Sequence, residues 1–214
     1  MKAVFMGTPD FAVTSLRALL AAGHDVAAVF TRADTPKNRG MKLLPPPVKV
    51  AALNAGLSVY QPRTLRDGEA LRILREIAPD IIVVAAYGRI LPADILHLPK
   101  YGCVNVHASL LPAYRGASPI NAAILHGETE TGVTIMQMNE GLDTGDILLS
   151  AKTGIGPAES FGALQQRLAE IGAQALLDAL SGLDQGSLTP QSQDDTQASY
   201  APLIKSRDAQ VCFD

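Results

Sequence analysis

The sequence predicts an α/β protein built on a Rossmann-like, doubly wound, mostly parallel sheet, and three features carry that expectation. Short apolar runs alternate along the chain with segments of helical periodicity. One run, residues 81–86 (IIVVAA), is apolar at every position, as a central parallel strand covered on both faces must be. Another, Cys103–His107, turns polar where it runs out, and the carboxyl ends of strands are where open α/β sheets bind ligands.

Taken in order, residues 3–6 read as the first strand and residues 10–22 as a helix. The connection Gly7-Thr8-Pro9-Asp10 reads as helix-start chemistry, with Thr8 as N-cap and Pro9 at the first helical position. It lacks the GxGxxG spacing of a dinucleotide-binding turn. Residues 26–31 read as a second strand, and 51–57 as a helix end leading to a strand near Val59. A helix over 71–78, the apolar strand at 81–86, the strand Cys103–His107 and a helix over 119–126 follow. Such repetition implies right-handed crossovers between parallel strands. Residues 133–139 and 146–153 read as a later strand pair joined by EGLDTGD, and 160–180 as a strongly periodic helix. Beyond it the composition turns polar around QSQDDTQAS, which divides the chain into a domain over residues 1–181 and a linker or surface segment over 182–214.

Composition narrows the class. With 214 residues, 47% of them hydrophobic, the chain is long enough to bury a substantial core. A net charge of −3 supplies no global attraction for nucleic acid, so any such contact must be local. Two cysteines, Cys103 and Cys212, offer neither a disulfide framework nor zinc-ligand spacing. No apolar run has the length of a membrane span, and a cytoplasmic, monomeric protein is expected.

Residues 103–119, CVNVHASLLPAYRGASP, carry the chemistry. In an extended strand Val104 and Val106 point to one face while Asn105, His107 and Ser109 share the other. An amide and an imidazole on one face of a buried strand must find partners or cost about 1–3 kcal/mol each, which suggests a site rather than packing. Asp143, in the downstream EGLDTGD loop, is the candidate carboxylate. Asp146 follows three residues later, but no His or Cys accompanies the two at ligand spacing, so no metal is expected. Arg115 reads equally as a substrate contact or as a loop-ordering residue.

FMGTPDFA at residues 5–12, VVAAYGRILP at 83–92, VNVHASLLPAYRGASP at 104–119 and ETGVTIMQMNEGLDTGDIL at 130–148 together resemble the folate-dependent formyltransferase family. The likeness is strongest to the branch that acts on methionyl initiator tRNA at the start of translation. It implies the formyltransferase fold, 10-formyltetrahydrofolate as formyl donor, and a catalytic trio of Asn105, His107 and Asp143. It also implies folate contacts from Ser109, Leu110, Leu111 and Pro112, and a pterin pocket lined by Tyr87, Gly88, Arg89, Ile90 and Leu91.

The residue types suit that chemistry. Attack of an amine on a formyl amide places negative charge on oxygen, and N–H donors from Asn105 and His107 aimed at it form an oxyanion hole, one donor being worth about 2.7–4 kcal/mol. Protons must leave the attacking amine and reach the leaving folate nitrogen, which Asp143 can serve as base or by orienting His107. Residues 31–49 carry Arg32, Lys37, Arg39, Lys42 and Lys49 against Asp34 alone. A basic loop there suits phosphate contacts, and the resemblance implies that Arg39 and Lys42 meet the tRNA. Relatives of that branch continue into a carboxyl-terminal OB-like domain, toward which residues 182–214 are expected to lead. The alternatives are a sibling enzyme acting on an amino sugar or purine precursor, a formyl-folate hydrolase, and a catalytically silent folate-binding module.

Overall fold

A computed structural model describes residues 1–37, 42–204 and 208. The chain opens with β1 (Lys2–Gly7), α1 (Asp10–Ala21) and β2 (Asp25–Phe30). A short antiparallel hairpin, β3 (Thr35–Lys37) and β4 (Lys42–Leu44), precedes α2 (Pro47–Asn54) and β5 (Val59–Tyr60). Then come α3 (Glu69–Ile77), β6 (Ile81–Ala85), α4 (Ala93–Leu96), β7 (Cys103–His107), β8 (Arg115–Gly116) and α5 (Pro119–Leu125). The last part holds β9 (Glu130–Gln137), β10 (Ile147–Gly154), α6 (Phe161–Gln185), a 3-10 turn at Asp195–Gln197 and β11 (Tyr200–Ala201).

Seven strands form the main sheet in the order β10-β9-β7-β6-β1-β2-β5. From β7 to β5 all neighbours are parallel, whereas β9 runs antiparallel to both β7 and β10. The sheet is therefore mostly parallel and doubly wound, as the apolar run at 81–86 implies. Alternation divides each central strand between two cores. Ala3 and Phe5 of β1, Ile81 and Val83 of β6, and Val104 and Val106 of β7 bury against the side covered by α1, α2 and α6. Val4 and Met6, Ile82 and Val84, and Cys103 bury on the other side, with Leu71, Leu74 and Ile95 from α3 and α4.

On the first side α6 supplies the largest contribution, with Leu164, Leu168, Leu176 and Leu180 almost fully buried, each worth about 1.5–3 kcal/mol in burial. Gly172 lets this helix approach the sheet, since a methyl there would stand 2.9 Å from Val106 Cγ1. The helix starts where Ser160 Oγ accepts from Ala163 N at 3.3 Å and runs to Gln185, past the predicted end, stopping at left-handed Gly186.

One local expectation is corrected. Thr8 does not cap α1: Pro9 is the N-cap residue, and no side chain bonds the helix start. The Thr8 hydroxyl instead donates to the Tyr87 carbonyl at 3.1 Å, a distant acceptor that ties the end of β1 to the segment after β6. No described helix is long and apolar enough to cross a membrane.

Candidate active site

The chain leaves β1 in one direction toward β2 and later resumes on its other side with β6, so the winding reverses between those strands. Beyond their carboxyl ends lies a cavity of about 680 Å³, the size of a small-molecule site. Pro9 and Phe11 wall it after β1, Tyr87 to Leu91 after β6, and Asn105 and His107 on β7. Met136 and Met138 add apolar surface from β9 and the residues after it, and Asp143 lines the cavity beside His107.

Asn105 lies in the sheet between Val84 of β6 and Met136 of β9, which fixes its backbone and turns its side chain toward the cavity. Two residues on, His107 ends the strand and is 5% exposed. Its Nε2 lies 3.0 Å from the Tyr114 carbonyl, and a carbonyl only accepts, so Nε2 carries hydrogen. That leaves Nδ1 facing Asp143 Oδ2 at 3.7 Å. Asp143 Oδ2 in turn accepts from Gly116 N at 2.8 Å. Imidazole and carboxylate thus stand side by side at the cavity, which Asn105, two residues before His107 on the same strand, also lines. Should Nδ1 also donate, His107 becomes an imidazolium whose charge Asp143 offsets.

Tyr87 to Leu91 all line the cavity. Tyr87 is 1% exposed and its hydroxyl, like Arg89 Nε, is buried without a hydrogen-bond partner. Burial pushes the Tyr87 hydroxyl up to about 12, against the nearby Arg89 and Arg32 charges, so it remains a neutral donor.

Ser109, Leu110, Leu111 and Pro112 do not line the cavity. They form the turn after β7: Ser109 Oγ donates to Ala113 O at 2.6 Å, and Thr134 Oγ1 donates to Ser109 O at 2.7 Å while accepting from Leu111 N at 3.1 Å. Arg39 lies outside the described residues, as does the side chain of Lys42, whose backbone belongs to β4. Lys49 is taken up by Asp34, at 2.8 and 2.9 Å. Arg115 orders loops, bonding Gln193 and Asp195. Among the described residues no group of His, Cys, Asp and Glu forms a metal cluster.

Sequence reasoning missed the residues that hold His107 in place. Tyr114, with left-handed backbone (φ 59°), presents its carbonyl to His107 and is itself anchored by Ser199 Oγ through its N–H at 2.8 Å. The only signal for Ser199 was a polar stretch that reads as surface.

Residues 1–180 match the family described as formyl transferase. The chain belongs to that family. It is 50% identical over 208 residues to a methionyl-tRNA formyltransferase of Geobacter metallireducens, covering 97% of this chain and 67% of that protein. A second methionyl-tRNA formyltransferase, from Acidobacterium capsulatum, is 54% identical over 214 residues, 100% of this chain and 69% of its own length. This formyltransferase therefore spans about two thirds of those relatives. Among solved structures, an N-formyltransferase from Helicobacter canadensis in complex with folinic acid and dTDP-3-aminofucose superposes with a TM-score of 0.73 at 21% identity, over 98% of this chain and 72% of that one. A phosphoribosylglycinamide formyltransferase from Bacillus halodurans gives 0.70 at 24%, over 86% of this chain and 95% of the other. These two establish the fold. The formyl donor of the family is 10-formyltetrahydrofolate.

Proposed function

We propose that this chain holds the transfer centre of a methionyl-tRNA formyltransferase, which moves the formyl group of 10-formyltetrahydrofolate to the amino group of methionyl initiator tRNA. The observation that carries the proposal is that Asn105, His107 and Asp143 all line the cavity, the last two side by side. The names of relatives about half identical over the whole chain support the acceptor.

The Asn105 amide bonds no other described residue and remains free to donate to the formyl oxygen as negative charge grows there. His107 supplies a second donor from Nδ1, its other nitrogen being committed to Tyr114. Asp143 offsets the imidazolium charge and, directly or through one water, takes the proton released by the attacking amine. The new C–N bond forms first, giving a tetrahedral intermediate with the charge on oxygen; its collapse breaks the old C–N bond, and that proton restores the folate nitrogen. Tyr87 to Leu91 wall the folate side, and Ser109 to Pro112 form the turn that follows β7, tied to Thr134 of β9. Arg39 and Lys42, in the basic stretch of residues 31–49, contact tRNA phosphates.

The test is formyl transfer from 10-formyltetrahydrofolate to charged initiator tRNA, beside a reaction without tRNA. Transfer that requires the acceptor is expected, with Arg39→Ala lowering tRNA use and reducing the salt slope by about 1. Folate release without an acceptor would point instead to hydrolysis, and transfer to amino sugars alone would refute the tRNA assignment.

A further inference from the structure

After α6 the chain turns at Gly186 and reaches the cavity at Tyr200 and Leu203. Gln191 exchanges two backbone hydrogen bonds with Ile147, at 2.8 and 2.9 Å, and Tyr200 and Ala201 pair in parallel with Arg115 and Gly116. Gln193 sits between these anchors, beyond the residues matched by the family. Its Nε2 donates to two carbonyl oxygens of the acidic loop, Asp143 O at 2.9 Å and Gly145 O at 2.7 Å. Its Oε1 accepts from Arg115 Nε at 3.1 Å and Nη2 at 2.8 Å.

A primary amide offers two N–H donors and an oxygen with two lone pairs, and here all four are used. Reversing the amide would set its oxygen against two carbonyls and its NH₂ against a guanidinium, so a single orientation is allowed. The backbone it grips needs holding, because Asp143 is in the left-handed region with φ 52°. Arg115 also links both ends of the arrangement. Its neighbour Gly116 donates to the Asp143 carboxylate, while its own side chain sets the amide that grips the Asp143 backbone.

We propose that Gln193 is a positioning residue for formyl transfer: it holds the Asp143 backbone in the one conformation that presents the carboxylate to His107, and Arg115 sets the Gln193 amide. The proposal rests on the functional reading above. Because a small misplacement of a reacting group costs up to about 100-fold in rate, loss of this grip acts on turnover rather than on folate binding.

The test compares Gln193→Met, Gln193→Glu and, as control, Gln197→Ala, whose side chain bonds only Asp194 in the same segment. Gln193→Glu keeps an acceptor for Arg115 but replaces both donors to the loop with an oxygen that the Asp143 and Gly145 carbonyls repel. Both Gln193 variants should lose about 10- to 100-fold in kcat with the folate KM changed by less than about threefold. Amide hydrogen exchange over residues 140–147 should quicken in both, and Gln197→Ala should match the unsubstituted chain in rate and exchange. Full activity in Gln193→Glu would reduce Gln193 to an anchor of the segment and overturn the proposal. So would unchanged exchange in the loop. If the unsubstituted chain moves no formyl group, the functional reading fails on its own, while the exchange comparison still decides whether Gln193 holds Asp143.

Discussion

Replacing Asp143 with Asn isolates the charge of the carboxylate from its shape. The amide oxygen can still accept from Gly116 N, now at 2.8 Å, and Asn tolerates the left-handed backbone as well as Asp does. What disappears is the negative charge 3.7 Å from His107 Nδ1. At an effective dielectric constant of about 20, two unit charges at that separation interact by about 4.5 kcal/mol. That corresponds to roughly 2,000-fold in rate if the whole attraction is felt only when His107 is cationic in the transition state. Both side chains are mostly buried, at 6% and 14% exposure, so solvent weakens the effect only in part. A loss of about 100- to 1,000-fold in kcat is therefore expected, with the folate KM within about threefold. Single-turnover transfer with saturating folate, alongside thermal unfolding to verify the fold, measures it. A variant within about threefold of the unsubstituted rate would refute the electrostatic role.

Asn105→Ala removes one donor from the formyl oxygen and should cost about 10²–10³ in kcat, again with little change in folate KM; equal losses in binding and turnover would reassign Asn105 to ground-state recognition. Away from the site, Asp34 is held below the usual carboxylate range by hydrogen bonds from Lys49 and Gln61. A depressed folded-state value means that the unfolded chain takes up the proton first as the solution is acidified. The stabilisation is thus fully present above about pH 4 and is lost as pH falls through the lower folded-state value. Asp34→Asn should melt below the unsubstituted chain at pH 7, and the gap should close as the solution is acidified below about pH 4; a gap that widens in acid would contradict this sign.

The sheet and one part of the site were legible in the chain because both depend on short-range patterns. Strand β6 must be apolar throughout to bury two faces, and the alternation in β7 sends Val104 and Val106 one way and Asn105 and His107 the other. The helix α6 announces itself through its periodicity, although its true end at Gln185 depends on a glycine cap beyond the apolar pattern. Thr8 shows where local chemistry misleads, since its hydroxyl, expected to accept from the helix start, donates instead to the Tyr87 carbonyl 79 positions away.

The arrangement around Asp143 has no such local signature. The residues 109–112 sit in sequence beside the strand end, and their course is set by Thr134 of β9, which captures their backbone. Gln193 grips a loop 50 residues earlier from within a stretch whose composition reads as solvent-facing. Periodicity reports which face of an element is buried, and motif spacing reports which groups share that face. Which carbonyls a distant amide will meet depends on how separate segments cross, and that follows from the packing of the whole domain.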